Sequence, residues 1–225
     1  MSRLRDGRRF SWRYAFGELI LITLGIYLAF AVNNWSETRK ERKLEQFYLT
    51  KLLADVDRSV SLLEWHIELA ESHKAGAAVL DGLLAQGRRV DQDSLKRYLN
   101  AFNVNPRFQI ADFSYQSLLQ SGDYRIIRSD SLRNALDHFY LELMPGVVTT
   151  ENWFRERLDD KFYPIKESVY LVRSQTFQDI NRLFDPIFRD NIYVLPAYIQ
   201  QEEQQLIATL KAAELLRQLI QESRE

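Results

Sequence analysis

There is no cysteine in the 225 residues. That excludes disulfides, thiolate nucleophiles and cysteine metal sites together, and leaves the compartment open, since a cysteine-free chain suits either side of a membrane. Histidine is nearly as scarce, with only His66, His73 and His138. His66 and His73 are seven apart on one predicted helix, about two turns, too far for the adjacent pair of a zinc-binding helix. They are expected on solvated helix surface, among Glu64, Glu68, Glu71 and Lys74, and His138 beside Asp137 is read the same way. The eight glycines form no phosphate loop, no Gly-x-Ser-x-Gly elbow and no dinucleotide fingerprint, and the Glu-x-x-His spacing of a bundle carboxylate centre is absent. With no motif for chemistry, neither an enzyme nor a metal or cofactor is expected. Excess charge of one sign is lacking as well. Thirty Lys and Arg balance 31 Asp and Glu, so the chain has no basic surface of the kind from which nucleic-acid binders draw their affinity.

What is present is one long apolar run, YAFGELILITLGIYLAFAVNNW from Tyr14 to Trp35. Between Leu19 and Val32 it holds no charge and no proline. At 1.5 Å per residue, Ala15 to Val32 extends roughly 27 Å, about one bilayer core, so residues 15–35 are predicted to be a transmembrane helix. Trp12 and Tyr14 before it and Trp35 after it stand where interfacial anchors belong. The run leads into Asn33, Asn34, Trp35 and a charged helix rather than a small-residue cleavage site, which argues against a cleaved signal peptide. Within the span, Glu18, Gly25, Ala29 and Asn33 fall on one side. Gly25 and Ala29 form a small-xxx-small pair that would let a second helix approach, with Glu18 facing that partner; alternatively Glu18 snorkels to the headgroups beside Arg13. Residues 1–14 form a basic tail with Arg3, Arg5, Arg8, Arg9 and Arg13. The tail is expected to stay cytoplasmic and the rest of the chain to lie outside, although Arg39, Lys40, Arg42, Lys43 and Lys51 oppose that orientation.

Residues 36–225 are read as one all-α domain. From Ser36 to about Leu84 the pattern is helical, with a seam of Leu49, Leu53, Val56, Val60, Leu63, Ile67 and Ala70, and nothing between Val32 and Leu44 breaks it away from the membrane helix. Gly87 is its expected stop. Asp91 caps a short helix through Leu95, Leu99 and Phe102; Asp112 caps another through Tyr115, Leu118 and Leu119, stopped at Ser121-Gly122. Asp123 to Arg128 reads as an extended link. Ser129 or Asp130 starts a helix stopped by Pro145-Gly146, Thr150 restarts one that ends at Tyr163-Pro164, and a further one through Phe177, Ile180, Leu183 and Phe184 ends near Asp185-Pro186. The last helix is predicted from about Pro196 to Ser223, with Ile199, Leu206, Leu210, Ala213, Leu216 and Ile220 on one face. The first and last helices, the longest, are the natural antiparallel pair.

Two further readings concern function. Arg125, Arg128 and Arg133 gather around the turn after Gly122 and form a candidate anion site at a helix start, set against a solvated basic face. The residues Tyr14-Ala15, Gly17-Glu18, Gly25, Ala29 and Asn33-Asn34-Trp35, with Tyr115-x-Ser117-Leu118, Ser121-Gly122, Ile126-Ile127, Leu132-Arg133 and Tyr140, resemble a family of bacterial single-pass membrane proteins classed as a domain of unknown function. The similarity covers the anchor and the middle of the domain; from about Val147 onward it is general helical similarity, and Tyr27, Phe30 and Ala31 depart from the plainer pattern. It implies a membrane-anchored helical domain of the bacterial inner membrane and carries no catalytic residues. The expected role is an interaction or scaffold protein whose partners are the lipid bilayer and a second copy or another membrane protein. The alternative is a module that senses a small molecule or lipid, with a membrane-tethered enzyme as the remotest reading.

Overall fold

A computed structural model describes residues 12–224, without the side chains of residues 13–15 and 88. The expectations for Arg3, Arg5, Arg8 and Arg9 and for the side chains of Arg13 and Tyr14 therefore lie outside the described residues. The chain is almost wholly helical and falls into two compact units divided between Phe47 and Tyr48. Helix α1 (Trp12–Ala85) is unbroken across that division. Within the first unit, every side chain from Phe16 to Trp35 is exposed. The Thr23 hydroxyl donates to the Leu19 carbonyl at 2.8 Å, so even this polar group is satisfied within its own helix.

In the second unit α1 buries Leu49, Leu52, Val56, Ser59, Leu63, His66, Ala70, His73, Ala77, Leu80 and Leu84. The steps alternate three and four throughout, the stride of a helix that keeps one seam against a neighbour. The predicted seam had the right starting positions but went to Leu53, Val60 and Ile67, which are half-buried flanks. The true alternates include Ser59, His66 and His73, whose polarity conceals them from an apolar count. The expectation that His66 and His73 lie on solvated surface is overturned, since they are only 5% and 3% exposed.

Helix α7 (Pro186–Glu222) is the partner, burying Phe188, Ile192, Leu195, Ile199, Glu202, Leu206, Thr209, Ala213, Leu216 and Ile220 with the same stride. Asp57 meets Arg217 at 2.9 Å and Lys74 meets Glu203, so residue numbers fall along α7 as they rise along α1. The pair is antiparallel, as predicted. The start of α7 differs from prediction. Pro186 occupies the first turn, with the Asp185 carboxylate accepting from Ile187 N–H at 2.8 Å, and Pro196 lies inside the helix. Buried Ile192, Leu195 and Ile199 on both sides of Pro196 hold that stretch helical against the loss of one backbone bond.

Between these two helices come α2 (Gln92–Leu99), α3 (Phe113–Gln120), α4 (Asp130–Asp137), α5 (Met144–Arg157) and α6 (Tyr163–Val169). Gly87 and Gly122 both take left-handed backbone (φ 64° and 77°), in line with the two predicted stops. Asp91 and Ser129 cap α2 and α4 as expected. Asp112 does not cap α3; the carboxylate of Asp55, from α1, accepts from Ser114 N–H at 2.7 Å instead. Asp123–Ile126 is a 3-10 turn rather than an extended link.

Proline does not stop the helix at Pro145 or at Pro164, contrary to the sequence reading. Helical backbone runs from Asp130 to Val169, widened into π turns at His138–Leu143 and Leu158–Phe162. The residue before each proline donates five residues back, Met144 N–H to Phe139 O and Tyr163 N–H to Leu158 O. A ring that would clash with a carbonyl four residues back in a tight helix is accommodated by the wider turn. Next to the first of them, Gly146 leaves room for Gln205 of α7, which donates to the Leu143 carbonyl at 3.3 Å. The predicted helix through Phe177 is also absent. In its place Tyr170–Leu171 and Thr176–Phe177, β1 and β2, form a small antiparallel hairpin, followed by a 3-10 turn at Ile180–Phe184.

Candidate functional site

Several of the polar groups buried by the second unit, His73, Glu151 and Lys166, converge on one segment, residues 102–108, which follows α2 as a 3-10 turn and then irregular chain. Such a segment cannot satisfy its own backbone and must find partners elsewhere. Tyr163 donates its hydroxyl to Phe102 O at 2.6 Å, and the Lys166 ammonium reaches Asn103 Oδ1 at 2.5 Å. His73 Nε2 donates to Val104 O at 3.0 Å, which fixes its tautomer. Arg155 donates to Asn105 O at 3.0 Å, while Glu151 accepts from Phe108 N–H at 2.9 Å and from Arg155 at 2.6 Å. Three helices thus grip seven residues. Aromatic contacts add to the grip, with the His73 ring 5.5 Å from Phe102 and 5.6 Å from Phe154, and His66 edge-on to Phe108 at 5.1 Å.

Glu202 of α7 and His66 of α1 flank the Glu151–Arg155 pair, and both feel its charges. Burial, with the Glu151 carboxylate adding to it, pushes Glu202 up to about 7, against the opposing pull of Arg155. Burial lowers His66 and His73 beneath the ordinary histidine value; Glu151 opposes that at His66, and the Val104 carbonyl opposes it at His73. Glu202 and His66 thus lie in the field of one ion pair, while His73 is governed by burial and by the Val104 carbonyl. Among the described residues no group of three His, Asp or Glu is placed to hold a metal.

A second polar centre joins α3 and α4. Asp137 accepts from Tyr115 at 2.7 Å and from Tyr124 at 2.5 Å, and Tyr115 stacks on Tyr140 with centroids 4.6 Å apart. Burial, then the bond to Asp137, raises the pKa of Tyr115 and Tyr124, so both remain protonated donors.

The predicted candidate residues are placed as follows. Glu18, Gly25, Ala29 and Asn33 are all exposed, and a Cβ on Gly25 would meet nothing within 4 Å. Trp12 and Trp35 are exposed, with the Arg39 guanidinium 5.5 Å above the Trp35 ring. Arg133 binds Ile127 O and Asp130, Arg125 and Arg128 are exposed, and Ser129 already caps the helix start. Residues not singled out from sequence are Glu151, Arg155, Lys166 and Glu202. A signal existed for two of them: four residues beyond Phe154, Leu158 and Phe162 comes Lys166, and Glu202 fills the gap between Ile199 and Leu206. Clefts border α5, α6 and α7. One of about 230 Å³ and one of about 400 Å³ share the half-exposed Trp153, and one of about 260 Å³ lies beside Lys166.

No protein-family model matches the chain, and no curated protein or solved structure matches it. The first unit contributes one further fact of composition. Within α1, an 18-residue window has mean hydropathy 1.8 with none of it buried, long and apolar enough to cross a membrane.

Proposed function

We propose that this chain is a single-pass membrane protein of the bacterial inner membrane that presents its helical domain on the extracytoplasmic side as an interaction or scaffold module. The observation that carries the reading is the bare apolar girdle of α1. Leu19, Ile20, Leu21, Ile22, Leu24, Ile26, Tyr27, Leu28, Phe30 and Val32 are all more than half exposed. At about 1.5–3 kcal/mol for each such side chain, water would leave on the order of 15–30 kcal/mol unrealised, and a hydrocarbon environment recovers it. A helix that satisfies its own backbone, with Thr23 bonded internally, is the form such a segment takes in lipid. The arginine-rich tail favours a cytoplasmic N-terminus. The resemblance of the Gly-Glu…Gly…Asn-Asn-Trp segment to anchored bacterial proteins supports the single-pass anchor. A homo-oligomer, or a complex with another membrane protein, fits a face of Glu18, Gly25, Ala29 and Asn33 that a second helix could approach closely.

The test combines extraction with topology. The full chain should remain with membranes after an alkaline carbonate wash, and deletion of residues 1–35 should release it. Alkaline phosphatase fused after Glu225 should be active and a cytoplasm-only reporter inactive. Release of the full chain by carbonate would remove the anchor reading; activity of the cytoplasmic reporter alone would reverse the orientation.

A further inference from the structure

We propose that the cleft beside α6 binds a small organic carboxylate, whose charge complements the Lys166 ammonium at its base. Lys166 is only 4% exposed, yet among the described residues it has no ion pair; its bonded partner is the neutral amide oxygen of Asn103. Buried charges are as a rule paired, and an ammonium has three donors. Asn103 takes one of them, and the ring of Tyr163, with its centroid 5.9 Å from Nζ, adds a weak attraction. Desolvation lowers the Lys166 pKa, with Glu167 opposing it, and a bound anion would reverse that shift.

The space next to Lys166 has the form of a site. Asn103, Tyr163, Lys166, Glu167, Tyr170 and Val172 line an open cleft of about 260 Å³, just under the roughly 300–1,000 Å³ of drug-sized pockets, so the occupant is small. Besides the ammonium, the Tyr170 hydroxyl and the Glu167 carboxylate are the side-chain polar groups of the lining left without a bonded partner among the described residues. Tyr163 has given its hydroxyl to Phe102 O, Asn103 Nδ2 reaches Asn100 Oδ1, and Tyr170 packs on Phe177. Two aromatic rings and Val172 therefore face the body of the ligand, and the cation faces its charge. Glu167 is exposed at the rim and disfavours a dianion, which selects a monocarboxylate over phosphate. The site stands apart from the membrane-anchor reading, because every residue of it lies in the second unit.

The test uses the full chain in detergent micelles, with lysines reductively ¹³C-methylated and the Lys166 resonance assigned by its absence in Lys166→Gln. Benzoate should shift that resonance saturably and raise its pKa, while the neutral isostere benzamide should not. Calorimetry should show Lys166→Gln weakening benzoate by at least about tenfold, since a charge-assisted bond is lost. Glu167→Gln should tighten it, and Val172→Trp at the mouth should weaken it. Equal binding of benzamide, preference for inorganic phosphate, no saturation with benzoate, or full binding by Lys166→Gln would each overturn the proposal. If Lys166→Gln fails to fold, the two rim variants decide, and unchanged benzoate affinity in both overturns it.

Discussion

Replacing Glu202 by Gln should stabilise the protein at alkaline pH and leave it unchanged in acid. Glu202 is 7% exposed in the α7 seam and is pushed up to about 7 by burial and by Glu151, from 4.5 in the unfolded chain. Between those two values the folded state keeps a proton that the unfolded state has released. Stability therefore falls as pH rises from 4.5 to about 7, and the cost is complete above that. A shift of that size, at 1.36 kcal/mol per pH unit, corresponds to about 3 kcal/mol. Gln has the shape of the protonated acid and no charge to desolvate, so the variant should gain about 3 kcal/mol at pH 8 and nothing near pH 4.5. His66 and His73 work in the other direction. Their folded pKa is lowered, so the stability they confer is lost as pH drops below the unfolded value of 6.5, in parent and variant alike. Urea unfolding of both proteins in detergent across pH 4.5–8, followed by tryptophan fluorescence, gives the difference directly. Parallel profiles, or a variant less stable at pH 8, would mean that Glu202 is ionised and paired, and would refute the reasoning.

Other perturbations test packing. Leu63 is fully buried in the α1 seam, so Leu63→Ala should cost about 2–5 kcal/mol in the same unfolding assay; an unchanged midpoint would contradict the seam. A Cβ at Gly146 would lie 2.6 Å from Gln205 Nε2. Gly146→Ala should therefore lose the Gln205 bond to Leu143, about 1 kcal/mol, and gain about as much helix propensity, for little net change. In a Gln205→Ala background only the gain is left, and a double-mutant cycle should show about 1 kcal/mol of stabilisation. In the anchor, Gly25→Leu should weaken self-association of residues 13–35 in a membrane-helix reporter, while Leu24→Ile should be silent. Association at parental strength in Gly25→Leu would mean that this stripe is not a pairing face.

The all-α class, the long first and last helices and the helix boundaries as far as the start of α4 were legible because they rest on local chemistry. Asp91, Ser129, Gly87 and Gly122 act within a turn of their own positions. The misread boundaries rest on distant chemistry. Pro145 and Pro164 end a helix only if the turn before them stays tight, and nothing local says that it will open to a π turn. Pro196 continues a helix because Ile192, Leu195 and Ile199 are buried by partners elsewhere in the fold. Asp112 loses its capping role to Asp55, 57 positions earlier in the chain. The site was hidden for a related reason. Hydrophobic periodicity finds seams by apolarity, so Ser59, His66, His73, Glu202 and Thr209 were passed over, and the same rule moved the α1 seam one residue to the side.

Those buried polar positions suggest what sets the register of α1 against α7, and a charge swap tests it. An unbroken three-four apolar seam would tolerate sliding by a whole seven-residue repeat or reversal of one helix, because leucine meets leucine in every case. Polar members at fixed points penalise the alternatives, since a displaced His73 would be buried away from the Val104 carbonyl that now satisfies it. The ion pairs Asp57–Arg217 and Lys74–Glu203 mark two points along the register. Lys74 is 40% exposed and Glu203 12%, so solvent screens the pair, and reversing either charge alone should cost only about 1–2 kcal/mol. Lys74→Glu combined with Glu203→Lys restores opposite charges at the same place and should recover most of that cost. Urea midpoints of the four proteins close the cycle. A swapped protein as unstable as the sum of the two single changes would show that the pair contributes no coupling, and the register would then be set by the buried polar residues without help from the rim.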